Sequence, residues 1–135
     1  MRALVDTGAL LALSRRQDQY HDRAIGIAER YIASGGQYVA TTLILGELHS
    51  HLLYLRGPQE ARATVLNLLD DPIHDWRAVS ADLARDAVTN WLARFSDQRF
   101  SLIDAVSFEL MRLEGLQYAF AFDAHFQVAG FELLR

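Results

Sequence analysis

Two short apolar runs in the sequence each end at an aspartate. Residues 3–5 lead to Asp6 and residues 118–122 lead to Asp123, and after each aspartate the pattern changes to residues that favour a helix. The runs predict buried strands, so each carboxylate is expected where a strand stops. One such acid could be a helix cap, whereas two at equivalent places indicate a chemical role, such as binding a hard divalent cation.

Each acid also has a purely structural interpretation. Aspartate is among the preferred N-cap residues, and taken singly Asp6 and Asp123 are better interpreted as caps of the helices that follow. A third acid, Asp104 in the segment SLIDAVSFEL, stands three residues after Ser101, which is the spacing of a capping box. Only an arrangement that brings the acids together favours a shared function.

Glu47 differs from an ordinary exposed helical glutamate. In the segment TTLILGELHSHLL it lies ~60° around the predicted helix from Ile44, on the shoulder of the apolar stripe. A carboxylate there is expected to be half-buried, which is costly without a partner. His49 and His51 lie ~200° apart on the same helix, so we expect them to be solvent-facing or boundary residues that do not share a metal ion.

The elements around these acids alternate between strands and helices. Strands are predicted near 2–5, 38–41, 73–79, 118–122 and 131–135, and helices over 7–16, 18–34, 43–55, 58–69, 81–95 and 102–114, with a short helix after Asp123. This order predicts an α/β fold with a mainly parallel central sheet and helices on both faces. Functional crevices of such sheets lie beyond the carboxyl ends of the strands, where Asp6 and Asp123 are expected.

Size and composition predict one domain with a restricted chemistry. The chain has 135 residues, of which 51% are apolar, so we expect residues 1–135 to form a single domain. It has no cysteine, which excludes disulfides and thiolate metal sites, and all 13 of its Lys and Arg residues are arginine. The absence of lysine excludes Walker-type phosphate loops and Schiff-base catalysis, which leaves carboxylate, imidazole and hydroxyl chemistry.

The sequence also predicts a soluble cytoplasmic protein. The start MRALVD has no apolar stretch of the signal-peptide type before the first acid. No apolar run approaches the ~20 residues of a membrane span, so no insertion into a membrane is expected. The net charge of −4 argues against a general nucleic-acid coat, although an acidic metal pocket can bind phosphates through its metal.

Four segments in this order resemble the PIN-domain family, most closely its VapC-type toxin ribonucleases. They are VDTGALLAL, TTLILGELHSHL, SLIDAVSFELMRLEG and AFAFDAHF, and together they span almost the whole chain. The resemblance implies a PIN-like three-layer α/β/α domain with a parallel sheet between helices. It also implies an acidic cluster that binds Mg²⁺ or Mn²⁺ for the hydrolysis of RNA phosphodiester bonds.

The resemblance assigns a role to each acid. Asp6 and Asp104 take the places of the principal metal ligands, Asp123 completes the cluster, and Glu47 belongs to the same metal site and orients the attacking water. Carboxylates suit Mg²⁺ because it is a hard cation that prefers oxygen ligands and retains several waters. A bound ion lowers the pKa of such a water and neutralises charge on the phosphate.

Two further positions bear on this implied site. Thr7 carries the hydroxyl that the family usually has beside its first acid. Ala121 is a departure, because the family often has Ser or Thr two residues before its last acid. The polar contact that a Ser or Thr hydroxyl would make at position 121 is therefore not expected, whereas the metal site itself is still expected.

The resemblance implies three kinds of partner. RNA is the implied substrate, and a separate antitoxin is expected to lay a helical or extended segment across the active-site groove, as in type II toxin–antitoxin systems. A homodimer is implied by the family. It is also favoured by the leucine-rich helices between 43 and 69 and between 83 and 95, which offer more apolar surface than one small sheet needs.

Several alternatives remain open at the level of sequence. A non-catalytic PIN-fold module that binds metal or protein is the main rival, and the spacing also permits a Ser–His–Asp site, although no nucleophile-elbow pattern is present. His125 could approach a substrate. The arginines could line an RNA path or be scattered solvated charges, and the phenylalanines are predicted to be core rather than base-stacking residues. These are Arg15, Arg16, Arg94 and Arg99, and Phe120, Phe122, Phe126 and Phe131.

Overall fold

Five parallel strands form the central sheet of the protein. The computed structural model describes residues 1–135, and its strands are β1 (Arg2–Val5), β2 (Gln37–Thr41), β3 (His74–Arg77), β4 (Tyr118–Phe120) and β5 (Glu132–Leu133). Their order across the sheet is β3-β2-β1-β4-β5, and each neighbouring pair is parallel. The predicted α/β fold is confirmed, and its sheet is parallel throughout rather than mainly so.

Helices connect the strands and cover the sheet. They are α1 (Thr7–Ser14), α2 (His21–Ala33), α3 (Thr42–Arg56), α4 (Pro58–Asp70), α5 (Ala81–Ala87), α6 (Leu102–Glu114) and α7 (His125–Val128), with a π-helical segment, Val88–Ala93, that continues α5. Helices α1 to α4 contact one another in one group and α5 to α7 in another, as expected when both faces of a parallel sheet are covered. None of these helices combines the length and apolar character that crossing a bilayer requires.

The centre of the sheet is also the centre of the core. Ala3, Leu4 and Val5 of β1 are fully buried, as are Val39 of β2 and Phe120 of β4. A parallel strand that is buried on both faces carries apolar residues at consecutive positions, which explains the unbroken apolar run of β1.

Three predicted strands are shorter in the structure, and this moves one acid away from its strand. The predictions for 73–79, 118–122 and 131–135 extend beyond β3, β4 and β5. β4 stops where its neighbour β1 stops, because a ladder needs a partner strand. Asp6 therefore follows β1 directly, whereas two residues separate Asp123 from the end of β4.

The predicted helix 18–34 begins three residues late, at His21. Asp18 Oδ1 accepts a hydrogen bond of 2.8 Å from the N–H of Tyr20, which holds this segment in a side-chain turn. The turn precedes α2 and directs Tyr20 toward the carboxyl edge of the sheet, where it lines a cavity described below.

The predicted helix 81–95 is interrupted by the π-helical segment. Within that segment, the side chains of Asn90 and Trp91 donate hydrogen bonds of 3.0 and 3.2 Å to the carboxylate of Glu109 on α6. Glu109 is only 1% exposed, so it needs such donors. Because a π turn inserts a residue into a helix, it changes which side chains face the neighbouring helix.

Candidate active site at the carboxyl edge of the sheet

The strand order places two of the predicted acids at the same edge of the sheet. β1 and β4 are neighbours, and the N–H of Asp6 donates a 3.0 Å hydrogen bond to the carbonyl oxygen of Phe120. From β1 the sheet continues through β2 and β3 on one side and through β4 and β5 on the other. Asp6 and Asp123 therefore flank the switch point, which is where open α/β sheets bind ligands.

Two helix N-termini position the other acids at this edge. Glu47 lies on α3, whose N-cap Thr41 accepts a 3.3 Å hydrogen bond at Oγ1 from the N–H of Ile44. Asp104 lies in the first turn of α6, where the predicted capping box with Ser101 is confirmed. Ser101 Oγ accepts from the N–H of Asp104 at 3.0 Å, and Asp104 Oδ2 accepts from the N–H of Ser101 at 3.1 Å. These caps fix the backbone from which both carboxylates project.

A single cavity of about 550 Å³ is lined by Asp6, Glu47, Asp104 and Asp123. Its other lining residues are Thr7, Gly8, Leu11, Asp18, Gln19, Tyr20, His51, Arg99, Ser101, Phe122 and His125. Arg99 is the only arginine among them, so acidic side chains outnumber permanent positive charges. The structure thus brings all four predicted acids together in one acidic cavity.

Asp6 is buried in an environment that disfavours its charge. It is only 8% exposed, and although it occupies the N-cap position of α1, its side chain makes no capping hydrogen bond to that helix. Burial, followed by the charges of Asp104, Glu47 and Asp123, raises the pKa of Asp6 from 3.8 to about 7, although a hydrogen bond from the Thr7 backbone lowers it. A carboxyl group perturbed in this way inside a cleft is typical of a functional site.

Thr7 contributes an unpartnered hydroxyl to the same cavity. The residue is 4% exposed, and its Oγ1 atom has no hydrogen-bond partner in the protein. A buried hydroxyl without a partner costs free energy that a bound ligand can recover. The hydroxyl next to Asp6 is therefore available to a ligand of the cavity.

His125 contacts two of the acids. Its Nδ1 atom lies 3.1 Å from Oδ2 of Asp104 and 3.4 Å from Oδ2 of Asp123, and its backbone N–H donates a 2.8 Å hydrogen bond to Oδ1 of Asp123. No three His, Asp or Glu side chains converge as a ready coordination group in this structure. Carboxylate and hydroxyl oxygens are nevertheless the donors that Mg²⁺ and Mn²⁺ prefer. The donor chemistry of the cavity fits such an ion, and one of these oxygens, Oδ2 of Asp104, contacts the imidazole of His125.

The two histidines of α3 lie in different surroundings, as their spacing predicted. His49 is half-buried and does not line the cavity, whereas His51 is exposed and lines it together with Glu47. The relevant signal was the spacing of Glu47 and His51, because residues four apart share one face of a helix.

The arginine and aromatic candidates divide between the cavity and the rest of the molecule. Arg99 lines the cavity, whereas Arg15, Arg16 and Arg94 do not. Phe120 and Phe126 are fully buried and Phe131 packs partly buried against the core, as predicted. Phe122 is different, because it is half-buried and lines the cavity beside Tyr20. No local pattern indicated Tyr20, since its place depends on how the turn before α2 folds onto the end of β4.

Comparisons with known proteins agree with this fold. The sequence model of the PIN domain matches residues 3–132. A Mycobacterium tuberculosis protein named 23S rRNA-specific endonuclease VapC20 is 36% identical over 132 residues, which cover 97% of this chain and 96% of the relative. The crystal structure of M. tuberculosis VapC20, described as a sarcin–ricin loop cleaving toxin, superposes with a TM-score of 0.82 at 33% identity and covers 96% of this chain and 95% of its own.

Two more distant crystal structures share the fold. VapBC2 from Rickettsia felis, bound to a DNA fragment from its promoter, gives a TM-score of 0.69 at 10% identity and covers 98% of this chain and 97% of the other. FitAcB from Neisseria gonorrhoeae gives a TM-score of 0.71 at 14% identity, with coverage of 100% and 97%. The match of the PIN-domain model to nearly the whole chain, together with the 36% identity to VapC20, shows that this chain belongs to the PIN-domain family and is a homologue of a VapC-type endonuclease toxin.

Proposed function

We propose that this chain is a metal-dependent endoribonuclease, the toxin of a type II toxin–antitoxin system, which hydrolyses a phosphodiester bond of 23S rRNA. The observation that carries this proposal is the convergence of Asp6, Glu47, Asp104 and Asp123 on one cavity at the carboxyl edge of the sheet. The substrate is suggested by the relative named 23S rRNA-specific endonuclease, which is 36% identical over 97% of this chain. The sarcin–ricin loop, named for the related crystal structure, is the first RNA to test.

Each acid has a distinct part in the proposed reaction. Asp6 and Asp104 are the principal metal ligands, Asp123 completes the set, and Glu47 orients the attacking water. The raised pKa of Asp6 supports a cation in the cavity, because a nearby positive charge relieves the burial and repulsion that cause the shift. When bound, Mg²⁺ or Mn²⁺ lowers the pKa of a water and neutralises charge on the phosphate. The free hydroxyl of Thr7 can hydrogen-bond to that water or to a phosphate oxygen.

The proposal includes an antitoxin partner and a cellular location. A ribonuclease that cuts ribosomal RNA has to be held inactive in its own cell, and the related VapC20 structure is described as that of a toxin. We propose that the antitoxin covers the acidic cavity, and that the protein acts in the cytoplasm, where ribosomes are. Residues 1–135 are proposed to form one PIN-like domain, of which the family match covers residues 3–132.

A homodimer through α3 and α4 is part of the proposal. Leu53, Tyr54, Leu66 and Leu69 on these helices are 45%, 89%, 54% and 45% exposed. A second copy of the chain would remove this apolar surface from water. Sedimentation at micromolar concentration tests the dimer, and a purely monomeric protein would contradict it.

The function is tested by RNA cleavage with purified protein. Total RNA and a sarcin–ricin loop hairpin are incubated in Mg²⁺, in Mn²⁺ and in EDTA, and the new 5′ ends are mapped. We expect cleavage at one site in either metal, none in EDTA, and none with Asp6→Asn. Asp82→Asn is the matched control, because Asp82 is an exposed first-turn acid of α5, outside the cavity. If neither total RNA nor the hairpin were cleaved in the presence of metal, the result would support a non-catalytic module instead.

A further inference from the structure

The wall of the acidic cavity contains a stacked pair of aromatic rings. The rings of Tyr20 and Phe122 are nearly parallel, with an interplanar angle of 7° and 4.5 Å between their centroids. Together with Leu11 they are the only hydrophobic side chains among the 15 lining residues. We infer that Tyr20, supported by Phe122, is a stacking platform for a nucleobase beside the hydrolysed bond. This inference rests on the proposed ribonuclease function.

The platform is held in place by the turn before α2. Asp18 Oδ1 accepts a 2.8 Å hydrogen bond from the N–H of Tyr20, and the carbonyl oxygen of Tyr20 accepts one of 2.8 Å from the N–H of Ala24. The Nδ1 atom of His21 is 2.7 Å from the carbonyl oxygen of Ala12, which ties the turn to α1. A ring whose backbone is fixed in this way loses little conformational entropy when it binds a base.

The exposure of the pair distinguishes it from the packing aromatics. Phe108 and Phe126 are fully buried, with their rings packed edge to face at 5.0 Å in the core. Tyr20 and Phe122 also pack against the core, but they are only half-buried and both line the cavity. Aromatic faces beside a polar cleft suit single-stranded or looped RNA, because every nucleobase presents a face that can stack.

The surroundings of the platform link it to the phosphate chemistry. Phe122 is followed directly by Asp123, so the aromatic wall and the acids are continuous in the chain. The guanidinium carbon of Arg23, which is exposed on α2, lies 5.5 Å from the centroid of the Phe122 ring. Arg23 can pair with a backbone phosphate while its plane stays near the ring. A base on Tyr20 would therefore have its own phosphate close to both Arg23 and the acidic cavity.

The first test measures binding in EDTA, where no cleavage is needed. A sarcin–ricin loop hairpin carries 2-aminopurine at successive loop positions, because stacking on an aromatic ring changes the fluorescence of this base. Wild type and Tyr20→Phe are expected to quench one position, and Tyr20→Leu is expected to abolish the quenching and weaken binding about 5- to 150-fold, the range for loss of one stack. Tyr118→Leu, at the opposite end of β4, is the control and should bind normally.

The second test uses cleavage and separates a stacking role from a structural one. On the intact hairpin, Tyr20→Leu should lower kcat/KM by the same factor by which it weakens binding. On a hairpin that is abasic at the quenched position, Tyr20→Leu should leave kcat/KM at the value of the wild type. An equal loss on both hairpins, quenching that survives Tyr20→Leu, or wild type that binds without quenching would overturn the platform. Wild type that binds and quenches but cuts no RNA would count against the nuclease and leave the platform standing. Melting curves verify that each variant is folded.

Discussion

The Nδ1 atom of His125 lies 3.1 Å from the Oδ2 atom of Asp104, and both residues line the acidic cavity. An ionised carboxylate can only accept a hydrogen bond, so Nδ1 carries the hydrogen when Asp104 is charged. The same Oδ2 atom accepts from the backbone of Ser101. One oxygen of a proposed metal ligand is thus shared between a helix cap and an imidazole, and we expect the imidazole to compete with an ion for this oxygen.

His125→Ala is therefore expected to strengthen metal binding. Without the imidazole, the oxygen of Asp104 no longer has to give up a charge-assisted hydrogen bond, which we expect to tighten Mn²⁺ or Mg²⁺ binding roughly 10-fold, or ~1.4 kcal/mol. The measurement is the rise in melting temperature as metal is titrated into metal-free protein. His49→Ala, on α3 and outside the cavity, is the control. Unchanged or weaker metal binding by His125→Ala would show that the imidazole does not compete with the ion.

Asp6 should make the metal-free protein less stable as the pH rises. Its pKa is raised from 3.8 to about 7, so the folded state holds this proton more tightly than the unfolded state. The stability that this proton contributes is fully present below about pH 4 and is lost as the pH rises through about 7. The total loss is roughly 4 kcal/mol, at 1.36 kcal/mol per pKa unit. Asp6→Asn, which cannot ionise, should lack this loss and be more stable than wild type at pH 8 in EDTA.

Urea titrations from pH 4 to pH 8 would measure this dependence. Asp82→Asn should keep the slope of the wild type, because this exposed acid lies outside the cavity. If Asp6→Asn showed the same pH slope as wild type, the proton uptake would have to be reassigned to another group.

Asp104→Asn should reverse its effect on stability when metal is added. In EDTA at pH 8, where Asp6 is largely ionised, the variant loses a favourable first-turn charge, worth ~0.3–1 kcal/mol, but it also loses repulsion with Asp6, which is worth ~1–4 kcal/mol at a separation of ~4 Å. We therefore expect the variant to be the more stable protein in EDTA. In Mg²⁺ at 100 times its dissociation constant, wild type gains ~2.7 kcal/mol and the variant gains less. Denaturant titrations in both buffers measure the two stabilities.

Cleavage supplies the second readout for the same variant. Asp104→Asn is expected to lose RNA cleavage, whether or not it is the more stable protein. A variant that is less stable in EDTA and still cuts RNA would show that Asp104 serves only the capping box and is not a metal ligand.

Glu109 is expected to stabilise the fold without serving the cavity. Its carboxylate is 1% exposed and accepts hydrogen bonds from Arg112, Trp91 and Asn90, and the Arg112 guanidinium is the main cause of the lowered pKa of Glu109. Glu109→Ala leaves these donors without their acceptor and should cost ~2–5 kcal/mol in urea unfolding. Glu29→Ala, an exposed acid on α2, should cost less than ~0.5 kcal/mol. Metal affinity of the folded protein should be unchanged in both variants.

Local sequence patterns were sufficient to predict many features of this protein, because those features depend on interactions between residues close in the chain. A buried parallel strand requires consecutive apolar residues, so β1 and the acid after it could be predicted. The capping box of Ser101 and Asp104 follows from a three-residue spacing, and the half-burial of Glu47 follows from its angle to the apolar stripe of α3. These features depend on neighbours within one or two turns of the chain.

The meeting of distant residues was decided by the tertiary structure alone. Strand lengths and order depend on which strands become neighbours, and this placed Asp123 beyond β4 yet in the same cavity as Asp6. The raised pKa of Asp6 depends on burial and on charges brought from other elements. The stack of Tyr20 on Phe122 joins residues from opposite ends of the chain, and no periodicity can report such a contact, because periodicity describes only one element at a time.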